Sequence, residues 1–202
     1  MNFLAHSLLA FGDDEVMVGQ FAGDFVRGRD LSAHSPAVAM GIRLHRHVDA
    51  FTDRTAGMAT LRARFPSALR RFSGIAIDVA ADFHLAARWS EHTAGLTEAS
   101  LAEHARQVDR VLARYRVDLP PGLNRLADAM RDQRLLERWA TRDGVEQTLQ
   151  RLSRRSPAMA PLAQCVDQLW ALDDEVAEFV ARLWPALVGS TQARYQLLES
   201  SQ

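Results

Sequence analysis

Apolar residues recur at helical spacing along almost the whole chain, and the punctuation between the runs marks helix ends rather than hairpins. No Asn-Gly or Asp-Gly pair separates two alternating runs; the one Asp-Gly, at Asp143, sits in helical surroundings. The pattern predicts an all-α fold. Helices are expected over 2–11, over 14–26, and from a Ser35 cap with Pro36 in the first turn to about Phe51. Two more follow over 56–64 and 67–90, the second interrupted near Gly74. Another opens near Thr97, carries Glu98 and Glu103 in its early turns and arginines at its end, and stops at Pro120 and Pro121. The remainder reads as 122–138, 143–155, a long helix over 158–187 and a short piece over 190–198. No repeat or linker divides the 202 residues, so the expectation is one domain, 1–202, of eight to ten helices.

Charge narrows the choice of function. The chain carries 24 basic and 25 acidic residues, and every basic residue is arginine. A net charge of -1 gives no reason to expect a polyanionic partner, and no aromatic–basic interleaving points to nucleic acid. Arginine favours forked contacts with phosphate and carboxylate, although a genome-wide codon bias explains the same count. Cys165 is the only cysteine, which excludes an internal disulfide or a zinc site of several thiolates and suits a reducing cytosol. No run of 18 apolar residues predicts a membrane span, and the N-terminus lacks the basic start of a signal peptide. A cytoplasmic location is therefore expected.

Residues 41–53, "GIRLHRHVDAFTD", raise the chemical question. His45, Asp49 and Asp53 fall at steps of four, among Ile42, Leu44, Val48 and Phe51. Side chains four apart on a helix are neighbours, so one divalent ion can accept the His45 imidazole and the Asp49 carboxylate together. Such oxygen and nitrogen donors suit Mn²⁺, Mg²⁺, Fe²⁺ or Zn²⁺. Taken alone, this stretch is explained better by a solvated polar face with i,i+4 pairing. Other segments repeat the oddity: His6 in "MNFLAHSLLA", Asp24 between Phe21 and Phe25, and Asp78, Asp82 and His84 in "IAIDVAADFHLAARW". A buried lone carboxylate needs a cation or donors, and no lysine exists to supply one. Singly, His6 also fits a hydrogen-bonded core histidine, and Asp78 a residue paired to an arginine. Jointly they are explained most economically by one metal with its surrounding shell. No His-Glu-x-x-His, no Glu-x-x-His, no phosphate-binding Gly-Lys loop and no Gly-x-Ser-x-Gly occurs. "APLAQCVDQLW", around Cys165, reads as a core helix and not as a nucleophile site.

Four blocks in order, "MNFLAH", "GDFVRG", "GIRLHRHVDAFTD" and "DVAADFHLAARW", with a weaker echo in "SRR" at 153–155, resemble the bacterial acyl carrier protein phosphodiesterases. That resemblance implies an all-helical, HD-domain-like fold and a metal-dependent hydrolase, most often with Mn²⁺ and with Mg²⁺ or Fe²⁺ as alternatives. The implied reaction removes the 4′-phosphopantetheine arm from holo-acyl carrier protein, giving the apo form. It points to Asp24 as an essential acid, to His45, Asp49 and Asp82, and to His6 as the histidine of the opening block; His45, Asp49, Asp82 and either Asp24 or His6 would hold the metal, with Asp24 alternatively orienting the attacking water. Arg27 or Arg46 would neutralise phosphate oxygens, and His6 or His84 would protonate the departing serine oxygen. The family often reads Asp-His-Phe-Leu where this chain has "DFHL", which turns His84 away from the family histidine's position. His47 reads as a surface histidine beside Arg43 and Arg46. Acyl carrier proteins are acidic, so Arg43, Arg62, Arg64, Arg70 and Arg71, which crowd near the blocks, are the expected docking residues. Two other readings stand beside this one: an HD-type hydrolase of nucleotides or other small phosphoesters, and a helical binding protein whose polar cluster only stabilises the core.

Overall fold

In a computed structural model, which describes residues 2–200, the chain is all helical with no strand among them. Among the described residues twelve α-helices form, against the eight to ten expected, because several long apolar runs are broken by short turns. They are α1 (Phe3–Leu8), α2 (Asp14–Ala22), α3 (Pro36–Asp53), α4 (Ala56–Arg64), α5 (Ser73–Ala87) and α6 (Trp89–His92). Then come α7 (Leu101–Arg114), α8 (Pro121–Gln133), α9 (Leu135–Arg138), α10 (Arg142–Ser153), α11 (Cys165–Ala171) and α12 (Asp173–Glu199). Two 3₁₀ segments, Arg70–Phe72 and Pro157–Gln164, link neighbours. No helix among the described residues is long and apolar enough to cross a membrane.

Caps explain most of the boundaries. The Asp13 carboxylate accepts from Val16 N at 2.9 Å, and the Ser35 hydroxyl from Val38 N at 3.3 Å with Pro36 in the first turn. The helix expected from Thr97 begins later, at Leu101. Ser100 is its cap, and Ser100 and Glu103 bond reciprocally in a capping box. The run 67–90 breaks at Phe72 and again at Arg88 rather than at Gly74. The run 122–138 breaks at Arg134, which takes a left-handed conformation with φ 48°. The long helix expected over 158–187 is instead a 3₁₀ segment, α11, and a break at Leu172. From there α12 continues through Pro185 past residue 190. Its far end is held by His47 Nε2 against Ser190 Oγ at 2.9 Å and by Tyr195 edge-on to Phe11.

The core is contiguous and built from Leu, Ile, Val, Ala, Met and Phe of nearly every helix. Helix α5 runs through its middle, against α1, α10, α11 and α12. Helices α2 and α3 approach most closely. A Cβ on Gly19 would lie 2.2 Å from Val38 O, and one on Gly41 would lie 2.2 Å from Val16 O, so the two backbones touch where they cross. That crossing brings the end of α2 against the middle of α3, where His45 and Asp49 stand.

Candidate metal centre

Three helices meet at one end of a cavity of about 890 Å³. His6 comes from the last turn of α1, His45 and Asp49 from successive turns of α3, and Asp24 from the turn after α2. His45 Nε2 lies 3.1 Å from one Asp49 oxygen and 3.4 Å from Asp24. His6 Nε2 lies 3.3 Å from the other Asp49 oxygen. The two imidazoles stack with centroids 4.2 Å apart. One ligand atom from each of His6, His45 and Asp49 falls within 4.8 Å of the others. Gly23 is the local reason His45 fits: a Cβ there would lie 2.2 Å from its ring. Phe25 reaches the same cavity across Gly122, where a Cβ would meet its ring at 2.8 Å.

The imidazoles are buried, while the Asp24 and Asp49 side chains are 56% and 44% exposed, so the cluster opens to the cavity on its acidic side. Burial pushes the His6 pKa down and keeps that ring neutral. Burial also opposes charge on His45, but its hydrogen bonds to Asp24 and Asp49 outweigh it and lift the pKa to about 9. The bond from His45 holds Asp24 below the ordinary carboxylate range. Asp49 is depressed too, His45 and His6 overcoming the cost of burial. Two carboxylates thus converge on one Nε2, whose single hydrogen serves only one of them at a time. Among the described residues no arginine lies within ion-pair distance of either acid. Mixed imidazole and carboxylate donors with surplus negative charge fit a divalent cation held by His6, His45, Asp49 and Asp24.

Asp82 is elsewhere. It is fully buried on α5, and its carboxylate accepts from Leu4 N at 2.7 Å and from Asn2 N and Ala5 N at 3.3 Å. The expected ligand therefore caps α1, whose own Asn2 makes no side-chain cap bond, and so anchors the helix that carries His6. Burial raises its pKa to about 7 against the pull of those donors. His84 also misses the cavity: its Nε2 sits 3.2 Å from Asp173, at the start of α12. Neither Arg27 nor Arg46 lines the cavity. Arg27 is exposed, and Arg46 donates to Val26 O at 3.0 Å, pinning the turn after α2. Asp53 and Asp78 do line it.

Of the expected docking residues, Arg62, Arg70 and Arg71 border a second hollow, which shares Asp53 with the cavity. Arg64 pairs instead with Glu175 at 3.1 Å, and Arg43 is exposed on α3. Arginines outside the four blocks also line the cavity: Arg125 of α8, Arg151 of α10 and, within the "SRR" echo just beyond α10, Arg155. Apolar side chains, among them Phe3, Trp139, Leu152 and Met159, line it as well. Gln20 of α2, fully buried, also escaped the motif reading; its amide oxygen lies 2.9 Å from His6 Nδ1. As the one polar residue in "VMVGQFAG" it carries the same signal as Asp24, had uncharged side chains been weighed.

The sequence model described as acyl carrier protein phosphodiesterase matches residues 1–187. The acyl carrier protein phosphodiesterase of Serratia proteamaculans is 33% identical over 163 residues, 81% of this chain and 83% of that protein. That of Yersinia pestis has the same identity and coverage. Its counterpart in Klebsiella pneumoniae is 29% identical over 188 residues, 93% of this chain and 96% of the relative. No solved structure matches the chain significantly. Matched along nearly its whole length, the chain belongs to the acyl carrier protein phosphodiesterase family, hydrolases acting on a phosphodiester.

Proposed function

We propose that the chain is a metal-dependent phosphodiesterase of HD-hydrolase type that removes the 4′-phosphopantetheine arm from holo-acyl carrier protein. The observation that carries this is the convergence of His6, His45 and Asp49, with Asp24 beside them, at one end of a cavity large enough for the arm. A divalent cation, most simply Mn²⁺, would supply Lewis acidity toward water and toward a phosphoryl oxygen. The remaining work falls to the chain. Asp24, ionised and half exposed, accepts a hydrogen bond from the attacking water and orients it. His6, kept neutral by burial, suits a ligand and not an acid. Arg125 and Arg151, which line the cavity where Arg27 and Arg46 do not, offer planar forks to anionic oxygens. The apolar wall takes the carbon chain of the arm. The acidic carrier docks across the ledge of Arg62, Arg70 and Arg71, which adjoins the cavity through Asp53.

The test is direct. Purified protein with Mn²⁺ should convert holo- to apo-carrier, read by mass spectrometry, and EDTA should stop it. Asp49→Ala should abolish turnover while circular dichroism shows the fold kept. Full activity after metal removal would defeat the proposal. Equal turnover of small phosphoesters, unaffected by charge reversal at Arg62, Arg70 and Arg71, would favour a small-molecule hydrolase.

A further inference from the structure

The Gln20 amide is oriented by both of its ends. Its Nε2 donates to Leu9 O at 3.1 Å, and Leu9 is the C-cap of α1, whose carbonyl has no helical partner of its own. A carbonyl only accepts, so the nitrogen must face Leu9 and the oxygen must face His6. That oxygen lies 2.9 Å from His6 Nδ1 and also only accepts, so Nδ1 must carry a hydrogen. The other ring nitrogen, Nε2, lies 3.3 Å from Asp49, a second acceptor for that hydrogen; but Asp49 is 44% exposed and already has His45 Nε2 at 3.1 Å, whereas the buried Gln20 oxygen has no donor except Nδ1 among the described residues. Reversing the tautomer would set a bare Nδ1 against the amide oxygen. Flipping the amide to rescue that contact would set the same oxygen against Leu9 O. Both groups are buried, Gln20 at 0% and His6 at 2% exposure, so no solvent offers a substitute partner.

We propose that Gln20 is a positioning residue: through Leu9 O it holds the hydrogen of His6 on Nδ1 and leaves Nε2 as the nitrogen given to the centre. This rests on the metal reading above only for its consequence, not for the tautomer itself. Outer partners of ligating histidines set ring orientation and basicity, and their loss typically weakens metal binding about 10- to 100-fold.

Two measurements test it. Long-range ¹H–¹⁵N spectra of the His6 ring, taken at pH 8 without metal and again with Zn²⁺ as a diamagnetic probe, should show Nδ1 protonated in both states. With Zn²⁺ only the Nε2 resonance should move to a metal-bound position. A hydrogen on Nε2 with Nδ1 bare, in either state, overturns the proposal. Calorimetric titration with Mn²⁺ is the second. Gln20→Met, nearly the same shape but without the acceptor, should bind about 10- to 100-fold more weakly. Gln20→Glu, protonated on the oxygen that faces Leu9 O, still accepts from Nδ1–H and should recover most of the loss. Unchanged Mn²⁺ affinity in Gln20→Met overturns the proposal. If wild-type protein binds neither Mn²⁺ nor Zn²⁺, the metal reading fails, while the metal-free spectrum still decides the role of Gln20. If Gln20→Met does not fold, the wild-type spectra decide it alone.

Discussion

Adding a single methyl group at Gly23 should separate the centre from the fold. Gly23 has φ -53° and ψ -39°, a conformation alanine adopts without strain. At such a position Gly→Ala ordinarily stabilises by about 0.4–1 kcal/mol through the unfolded chain. Here the new carbon would lie 2.2 Å from His45 Cγ, 2.3 Å from Cδ2 and 2.7 Å from Cβ, where ordinary contact begins at 3.4 Å. The imidazole must retreat by about 1 Å, a misplacement that typically costs about 100-fold in rate. Helix α3 cannot share the movement, because Gly41 already rests on Val16 O and Gly19 on Val38 O. The ring therefore turns, and its contacts at 3.1 Å with Asp49 and 3.4 Å with Asp24 are lost. Overpacking costs about 1–3 kcal/mol, partly offset by the alanine gain. At about 2–4 °C per kcal/mol for a domain of this size, melting falls by no more than about 10 °C. Gly23→Ala should thus keep its helical circular dichroism and a cooperative melt while Mn²⁺ affinity and holo-carrier turnover fall together. Wild-type affinity and turnover in a folded Gly23→Ala protein would refute the packing argument.

The pH dependence of the metal-free protein has a definite sign. His45 is raised from 6.5 to about 9, so the stability it contributes is complete below pH 6.5 and lost as pH climbs toward 9. Urea titrations at pH 6 and pH 9.5 should differ by about 1–3 kcal/mol at this group, and the difference should vanish in His45→Gln. Asp49, being depressed, acts oppositely: its contribution is present above its ordinary pKa of 3.8 and is lost only in stronger acid. Mn²⁺ binding should tighten over the window in which His45 sheds its proton, and calorimetry in buffers of different ionisation enthalpy should count about one proton released. Asp82→Ala leaves three N–H groups at the start of α1 without their acceptor and should cost about 2–4 kcal/mol in chemical denaturation. Unlike loss of a ligand, that cost should be the same with and without Mn²⁺. Arg151→Ala should lower kcat/KM for holo-carrier about 10-fold, with the melting temperature little changed; an unaltered kcat/KM would remove Arg151 from substrate binding.

Much of the fold was legible because its signals are local. Periodicity, the Ser35 cap with Pro36, and the Pro120–Pro121 stop each act within one or two turns, and each marks a real boundary. Breaks at Phe72, Arg134 and Leu172 were not legible. No glycine or proline stands at them, and tertiary packing alone decides that these apolar runs turn. The site divides the same way. His45 and Asp49 share one helix, so spacing alone places them together. Asp78 and Asp82 show the same spacing, yet Asp78 faces the cavity while Asp82 turns to the end of α1. An acid in an apolar helix demands donors, and sequence does not say whether these come from a cation or from backbone N–H groups. Arg125, Arg151 and Arg155 lie far downstream, in and just after helices whose arginines recur as they do on any solvated face, so only the tertiary fold brings them to the cavity that His45 lines.

The Gly19–Gly41 crossing has a mechanical consequence. With no side chains between α2 and α3 to slide or compress, that pair forms a stiff jaw, and the α3 residues of the cluster keep fixed spacing against Gln20 and Asp24. Where α8 comes near this pair, at Gly122, it meets the Phe25 side chain and not backbone, so that contact can yield where the crossing cannot.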